Sequence, residues 1–174
     1  NPLGWTKDEV LTDEIIKCLD STEESDYIYT ISTQGHGAYP EEQLIDDPEI
    51  TVSGAETEAQ NNQWEYYCNE IHEMDNFVKE LTDALADYPE DVILVMYGDH
   101  LPTFNFTNDT MENGDIYQTE YFIWSNYGLE KKDIDLQAYQ LSAAVFDRLG
   151  ISEGYIMKFH QAKHNDADYL KKLK

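Results

Sequence analysis

Five apolar residues, Val92 to Met96, run together without a polar interruption and stop at Tyr97-Gly98-Asp99-His100. A run of this length and β-branched content predicts a strand buried on both faces, as in parallel sheets covered by helices. Tyr27-Ile28-Tyr29-Thr30-Ile31-Ser32-Thr33 predicts a second strand and Thr119 to Ser125 a third, both rich in β-branched and aromatic residues. Helical periodicity fills the intervals. Thr6-Lys7-Asp8-Glu9 has the form of a capping box and predicts a helix with Val10, Leu11, Ile15, Ile16 and Leu19 on one face. Ser53-Gly54-Ala55-Glu56 predicts the start of the longest helix, which ends near Tyr88, before Pro89. Its stripe is Trp64, Tyr67, Cys68, Ile71, Met74, Val78, Leu81 and Leu85, at three- and four-residue steps. Asp135 is an N-cap candidate for a helix through Leu149, with Gly150 at its end. From Ile151 the chain is polar with scattered apolar residues, and residues 169–174 read as an unfinished helix. Helices alternating with strands define an α/β chain.

In α/β sheets ligands gather beyond the carboxyl ends of the strands. Asp99 and His100 follow such an end, with Gly98 as a turn residue before them, and together supply half of a divalent-metal site. Gln34-Gly35-His36-Gly37 has the same layout after the Tyr27 strand, so in a parallel sheet both loops open on one edge. Residue type alone leaves blander roles open: Asp99 as a cap or turn residue, His100 as a surface histidine, His36 as a turn residue. His72, beside the apolar stripe, reads as an interfacial histidine, and His160 and His164 as solvent-exposed. Trp64, Tyr67 and Trp124 read as core. Thr103 has no base near it in sequence and is a weak nucleophile candidate.

Composition narrows the partners. Eleven basic residues stand against 36 acidic ones, a net charge of -25, which disfavours nucleic acid and anionic surfaces. A 41% hydrophobic and 13% aromatic content argues for a folded core rather than disorder. The 174 residues suffice for one domain. No stretch approaches the roughly 20 apolar residues of a membrane span. Cys18 and Cys68 both fall in amphipathic patterns and read as small core residues rather than a bridge. The sequons at Asn105 and Asn108 are too common to carry weight.

Three features taken together, in order and spacing, carry a family likeness. They are Tyr29 to His36 followed by Tyr39-Pro40, the helix bearing Tyr66-Tyr67, Glu70 and Met74-Asp75, and Val95-Met96-Tyr97-Gly98-Asp99-His100. This set resembles the carboxyl-terminal half of the sulfatase-like catalytic domain of lipoteichoic acid synthases, phosphoglycerol transferases of the alkaline phosphatase superfamily. The resemblance implies a partial alkaline phosphatase-like fold, a mostly parallel sheet flanked by helices. It implies that residues 1–174 form the carboxyl-terminal part of one catalytic domain, with the other half and the membrane spans elsewhere. It further implies that Asp99 and His100 ligate a single divalent ion, manganese, with magnesium or zinc as alternatives. His36 would contact the substrate phosphate or leaving group. The substrate implied is a lipid head group or another phosphate or sulfate ester, met on the outer face of a bacterial membrane. The threonine nucleophile, a glutamate ligand and the head-group clamp have no counterpart in these residues, so the isolated chain is expected to be inactive and prone to self-association. Rival expectations are a sulfatase or phosphoethanolamine transferase on the same scaffold, and a binding module without catalysis.

Overall fold

The computed structural model describes residues 1–174. The elements in order are α1 (Val10–Leu19), α2 (Glu58–Ala86), β1 (Ile93–Tyr97), β2 (Tyr121–Ser125), a 3-10 turn (Ala138–Gln140), α3 (Leu141–Arg148), α4 (Tyr155–Lys163) and α5 (Tyr169–Leu173). They form two compact units: residues 1–89 with 98–120, and residues 90–97 with 121–174.

The first unit is built on α2. Tyr66, Phe77, Leu81 and Leu85 are its buried apolar residues, set at helical spacing. Burying side chains of this size contributes roughly 1.5–3 kcal/mol each. The helix starts later than the Ser53 box predicts. Thr57 is the true N-cap, its hydroxyl accepting from the Gln60 amide at 3.2 Å, while Asn61 Oδ1 accepts from Ala55 N and draws the preceding residues into a loop. That loop runs along α2. Asn69 exchanges two bonds with the backbone of Ile50, and the Glu65 carboxylate accepts from Val52 N at 3.1 Å, so both buried polar side chains are satisfied.

The Thr6 capping box also fails to form. α1 begins at Val10 with no side-chain cap. Asp8 is instead buried and tied to a distant segment: Gln34 Oε1 accepts from its amide at 2.8 Å, and Ser32 Oγ donates to its carboxylate at 2.5 Å. A tertiary bond outcompetes the local one.

The strand predicted over Tyr27–Thr33 is absent. The segment is irregular, and Tyr27 and Ile31 are 86% and 67% exposed. Strand-forming residues report a fit to a pleated, half-buried surface, and no strand of the chain lies beside them.

In the second unit β1 and β2 pair antiparallel, with Ile93 opposite Ser125, Val95 opposite Ile123 and Tyr97 opposite Tyr121. The expected mostly parallel sheet is therefore not what these residues make. A parallel connection needs a crossover, usually a helix, and residues 98–120 contain none. Nor is β1 covered on both faces: its residues are half-buried, and Tyr97 is exposed. The helix predicted from Asp135 begins instead at Gln137, which forms a reciprocal capping box with Gln140, and it ends as predicted before Gly150 at φ +70°. The polar tail folds into α4 and α5. Tyr169 is buried and stacks on Phe159 and Tyr139, with centroids 5.5 and 6.2 Å away. His160, expected in solvent, is half-buried, and its Nδ1 bonds the Tyr169 hydroxyl. His164 is exposed as expected.

Both cysteines are free thiols. Cys68 is half-buried, whereas Cys18 is exposed rather than part of a core. No helix of the chain is long and apolar enough to cross a membrane.

Candidate functional site

His36 stands at the tip of a loop whose root is locked. The Gln34 side chain is buried; besides accepting from Asp8, its amide donates to Glu73, which also pairs with Lys7 at 2.8 Å. His36 N bonds Thr33 O at 3.1 Å and closes the turn. The flanking glycines are needed for close approach rather than for an unusual backbone. A Cβ on Gly35 would lie 3.1 Å from Ile71 Cδ1, and one on Gly37 would lie 3.0 Å from the Tyr39 ring. Tyr39 folds back and donates its hydroxyl to Gly35 O at 3.1 Å. Burial, then the neighbouring Tyr67, pushes the Tyr39 hydroxyl pKa up to about 12. Farther along α2, burial and then the adjacent Glu70 carboxylate push Tyr66 well above the usual phenol range.

The second loop follows β1. Gly98 has no positive φ. Its lack of a side chain lets Thr119 approach, since a Cβ there would lie 3.3 Å from Thr119 Cβ, and Thr119 Oγ1 donates to Gly98 O at 2.6 Å. Asp99 and His100 then project outward, their side chains 81% and 58% exposed. His100 Nδ1 lies 2.8 Å from Leu101 O. A carbonyl only accepts, so Nδ1 carries a proton, and in the neutral ring Nε2, 3.7 Å from Asp99 Oδ1, is the nitrogen with the lone pair. This is the way a metal-binding imidazole is commonly oriented: one nitrogen held by the backbone, the other left for the ligand.

Aromatic packing joins the two loops. Phe104, four residues past His100, stacks on Trp64 of α2 at 3.6 Å and on Tyr39 of the first loop at 4.8 Å. Tyr67 meets both Tyr39 and Phe104, and Phe106 meets Trp64. Such pairs contribute about 0.5–1.5 kcal/mol each beyond the area they bury. The rings thereby fix the spacing of the histidines. His36 and His100 lie edge to face with centroids 6.0 Å apart, and Trp5 packs on His36 at 5.5 Å.

His36, Asp99 and His100 are thus brought together, while His72 is occupied by Glu49, 2.9 Å away, in the interfacial role expected of it. Sequence reasoning missed Trp5, Gln34 and Phe104. Phe104 and Phe106 left a trace, two aromatics alternating through a polar loop directly after Asp99-His100. Trp5 and Gln34 left none. No group of three or more His, Cys, Asp or Glu side chains is arranged to hold a metal ion. The pair Asp99 and His100 offers a carboxylate oxygen and an oriented imidazole nitrogen, which fits part of a divalent site and calls for further ligands.

Residues 1–151 match the sulfatase family, and the chain belongs to it. Members of that superfamily are typically enzymes and generally use divalent metals. The chain is 27% identical, over 173 residues, to a putative cyclic beta-1,2-glucan modification protein of Rhizobium meliloti (strain 1021). The match covers 89% of the chain but only 27% of that relative, so the chain spans about a quarter of its length. No solved structure matches the chain.

Proposed function

We propose that the chain is the carboxyl-terminal part of a metal-dependent phosphoglycerol transferase of the lipoteichoic acid synthase type, acting at the outer face of a bacterial membrane. The observation that carries this reading is the convergence of His36 and His100, 6.0 Å apart on separate loops, with His100 Nε2 left as a donor beside Asp99. Asp99 and His100 would hold the divalent ion, manganese first, with magnesium or zinc as alternatives. When bound, the ion stabilises negative charge on the phosphoryl oxygens. His36, beside His100, would help hold the substrate phosphate or the leaving group. The nucleophile and the remaining ligands belong to other parts of the protein. The relative's name supports a glycan as the acceptor.

The family match also favours a second reading, in which the same donors serve a sulfatase or a phosphoethanolamine transferase. Assaying the complete protein with phosphatidylglycerol, phosphatidylethanolamine and an aryl sulfate in parallel separates the three. In the complete protein, Asp99→Ala abolishes divalent-metal-dependent turnover under this account. Unchanged turnover and unchanged metal dependence in that variant refute the assignment of Asp99, whereas no turnover of any of the three substrates by the complete unaltered protein favours a binding module.

A further inference from the structure

We propose that Gln34 is the positioning residue of His36: its buried side chain, clasped between Asp8 and Glu73, sets where the imidazole stands. The proposal rests on the reading of His36 as the group that helps hold the substrate phosphate or the leaving group, and it deepens that reading. Gln34 acts only through the loop it roots.

Among the five histidines, one stands apart. His72 is bonded to Glu49, His100 to Leu101 O, His160 to the Tyr169 hydroxyl and His164 to His160 O, each through a ring nitrogen. The exposed His36 ring meets Trp5 and His100 and makes no hydrogen bond of its own. Both of its nitrogens stay open to a substrate, and neither tethers the ring. An imidazole without a tether is placed by its backbone and its rotamer, so whatever fixes that backbone decides where the ring points.

Two residues before His36, Gln34 is 1% exposed and tied on three sides. Its Oε1 accepts from Asp8 N at 2.8 Å, its Nε2 donates to the Glu73 carboxylate, and its main-chain O accepts from Asn1 Nδ2 at 3.5 Å. An amide N–H only donates and a carboxylate only accepts, so the Gln34 amide fits one way round. An apolar side chain could fill the same space but could also slide in it. Partners of opposite polarity fix the side chain's position as well, because any displacement leaves buried polar atoms unpaired. Lys7 holds the other oxygen of Glu73 at 2.8 Å and keeps that carboxylate in place. The ring that packs on His36 is referred to the same residue, since Asn1 Oδ1 accepts from Trp5 N at 2.9 Å. Tyr39 and Phe104 join the two loops, and Gln34 seats the tip within its own.

The test reads NMR cross-relaxation of the His36 ring with the Trp5 and His100 rings in the 174-residue chain, without metal or substrate. Gln34→Glu keeps the size and the bond to Asp8 N but sets a second carboxylate against Glu73. It is expected to lose both His36 contacts while those of Phe104 with Tyr39 and Trp64 persist. Combining it with Glu73→Gln restores the donor–acceptor match the other way round and recovers the His36 contacts, a rescue that a space-filling role would not give. Glu73 is 41% exposed, so Glu73→Met keeps the fold, and by removing the acceptor it weakens the same two contacts even where Gln34→Glu does not fold. His36 contacts that persist in Gln34→Glu or in Glu73→Met, or that the combined change fails to recover, overturn the proposal. In the complete protein, turnover lost in His36→Ala and kept in Gln34→Glu also overturns it, whereas turnover kept in both overturns the reading of His36 on which it rests.

Discussion

Two histidine environments in this molecule are built from the same materials and reach opposite ends. His160, in the second unit, is surrounded by Tyr139, Phe159 and Tyr169, and its Nδ1 is occupied by the Tyr169 hydroxyl. It is half-buried, and one of its two ring nitrogens is already engaged. In the first unit one ring, Trp5, also packs on a histidine, His36, but no ring hydroxyl sits on the nitrogens of His36 or His100. Tyr39, Trp64, Tyr67 and Phe104 interlock among themselves, and the loops they join carry His36 and His100 outward. Rings packed directly on an imidazole, with a hydroxyl on its nitrogen, make a structural residue. Rings packed beneath the loops, with a backbone carbonyl on one nitrogen, make a presented one. The difference lies in packing, not in the identity of the histidine, and residue type alone does not reveal it.

The comparison breaks most readily at Phe104. Phe104→Ala removes the ring shared by both loops and is expected to destabilise the first unit by about 3 kcal/mol. Urea unfolding checks the stability. Loss of cross-relaxation between the His36 and His100 rings checks that the loops have parted. A variant that unfolds earlier while the two rings stay in contact would show that something other than Phe104 sets their spacing.

The next effect is one of pH. Tyr39 loses its proton near pH 12 when folded and near 10 when unfolded. Between those values the unfolded chain has released the proton and the native chain has kept it, so stability falls as pH rises. Tyr66 acts in the same direction. Denaturant midpoints measured from pH 9 to 12 should fall accordingly, and Tyr39→Phe should flatten part of the slope. A slope unchanged in Tyr39→Phe would remove Tyr39 from the account.

The smallest effect of the set falls on the other side of the comparison. Tyr169→Phe removes the hydroxyl that satisfies His160, at a cost of about 1 kcal/mol, and should leave the signals of His36 and His100 unmoved. A shift at His36 would mean that the two environments are coupled.

The helices were legible because their apolar stripes are long and regular: α2 follows from Trp64, Tyr67, Ile71, Val78, Leu81 and Leu85 with little ambiguity. Their starts were not. Ser53 and Thr6 satisfy the local capping pattern, but Thr57 wins at one helix, and at the other Asp8 is drawn away by Gln34 and Ser32. Thr57→Ala should therefore cost about 1 kcal/mol, and Ser53→Ala almost nothing. Strand existence was legible at Val92 and Thr119, whereas direction and pairing were not, because both depend on what residues 98–120 do between them. Tyr27–Thr33 misled for the same reason: composition describes a strand's preferences and says nothing of its partner. Of the site, Asp99, His100 and His36 were named from their place after apolar runs and from family likeness. The rings that join their loops were only half visible, since Trp64 and Tyr67 were read as core while Phe104 passed as loop.

The central claim is that Asp99 and His100 form part of a divalent-metal site and that His36, 6.0 Å from His100, stands beside it. A titration of the chain with Mn2+, read through paramagnetic broadening of the histidine ring signals, tests it most directly. The account predicts that His36 and His100 broaden together at the lowest metal concentrations, that Asp99→Ala removes the effect, and that His72, His160 and His164 stay sharp. Broadening of His100 without His36, or equal broadening of all five histidines, would contradict it.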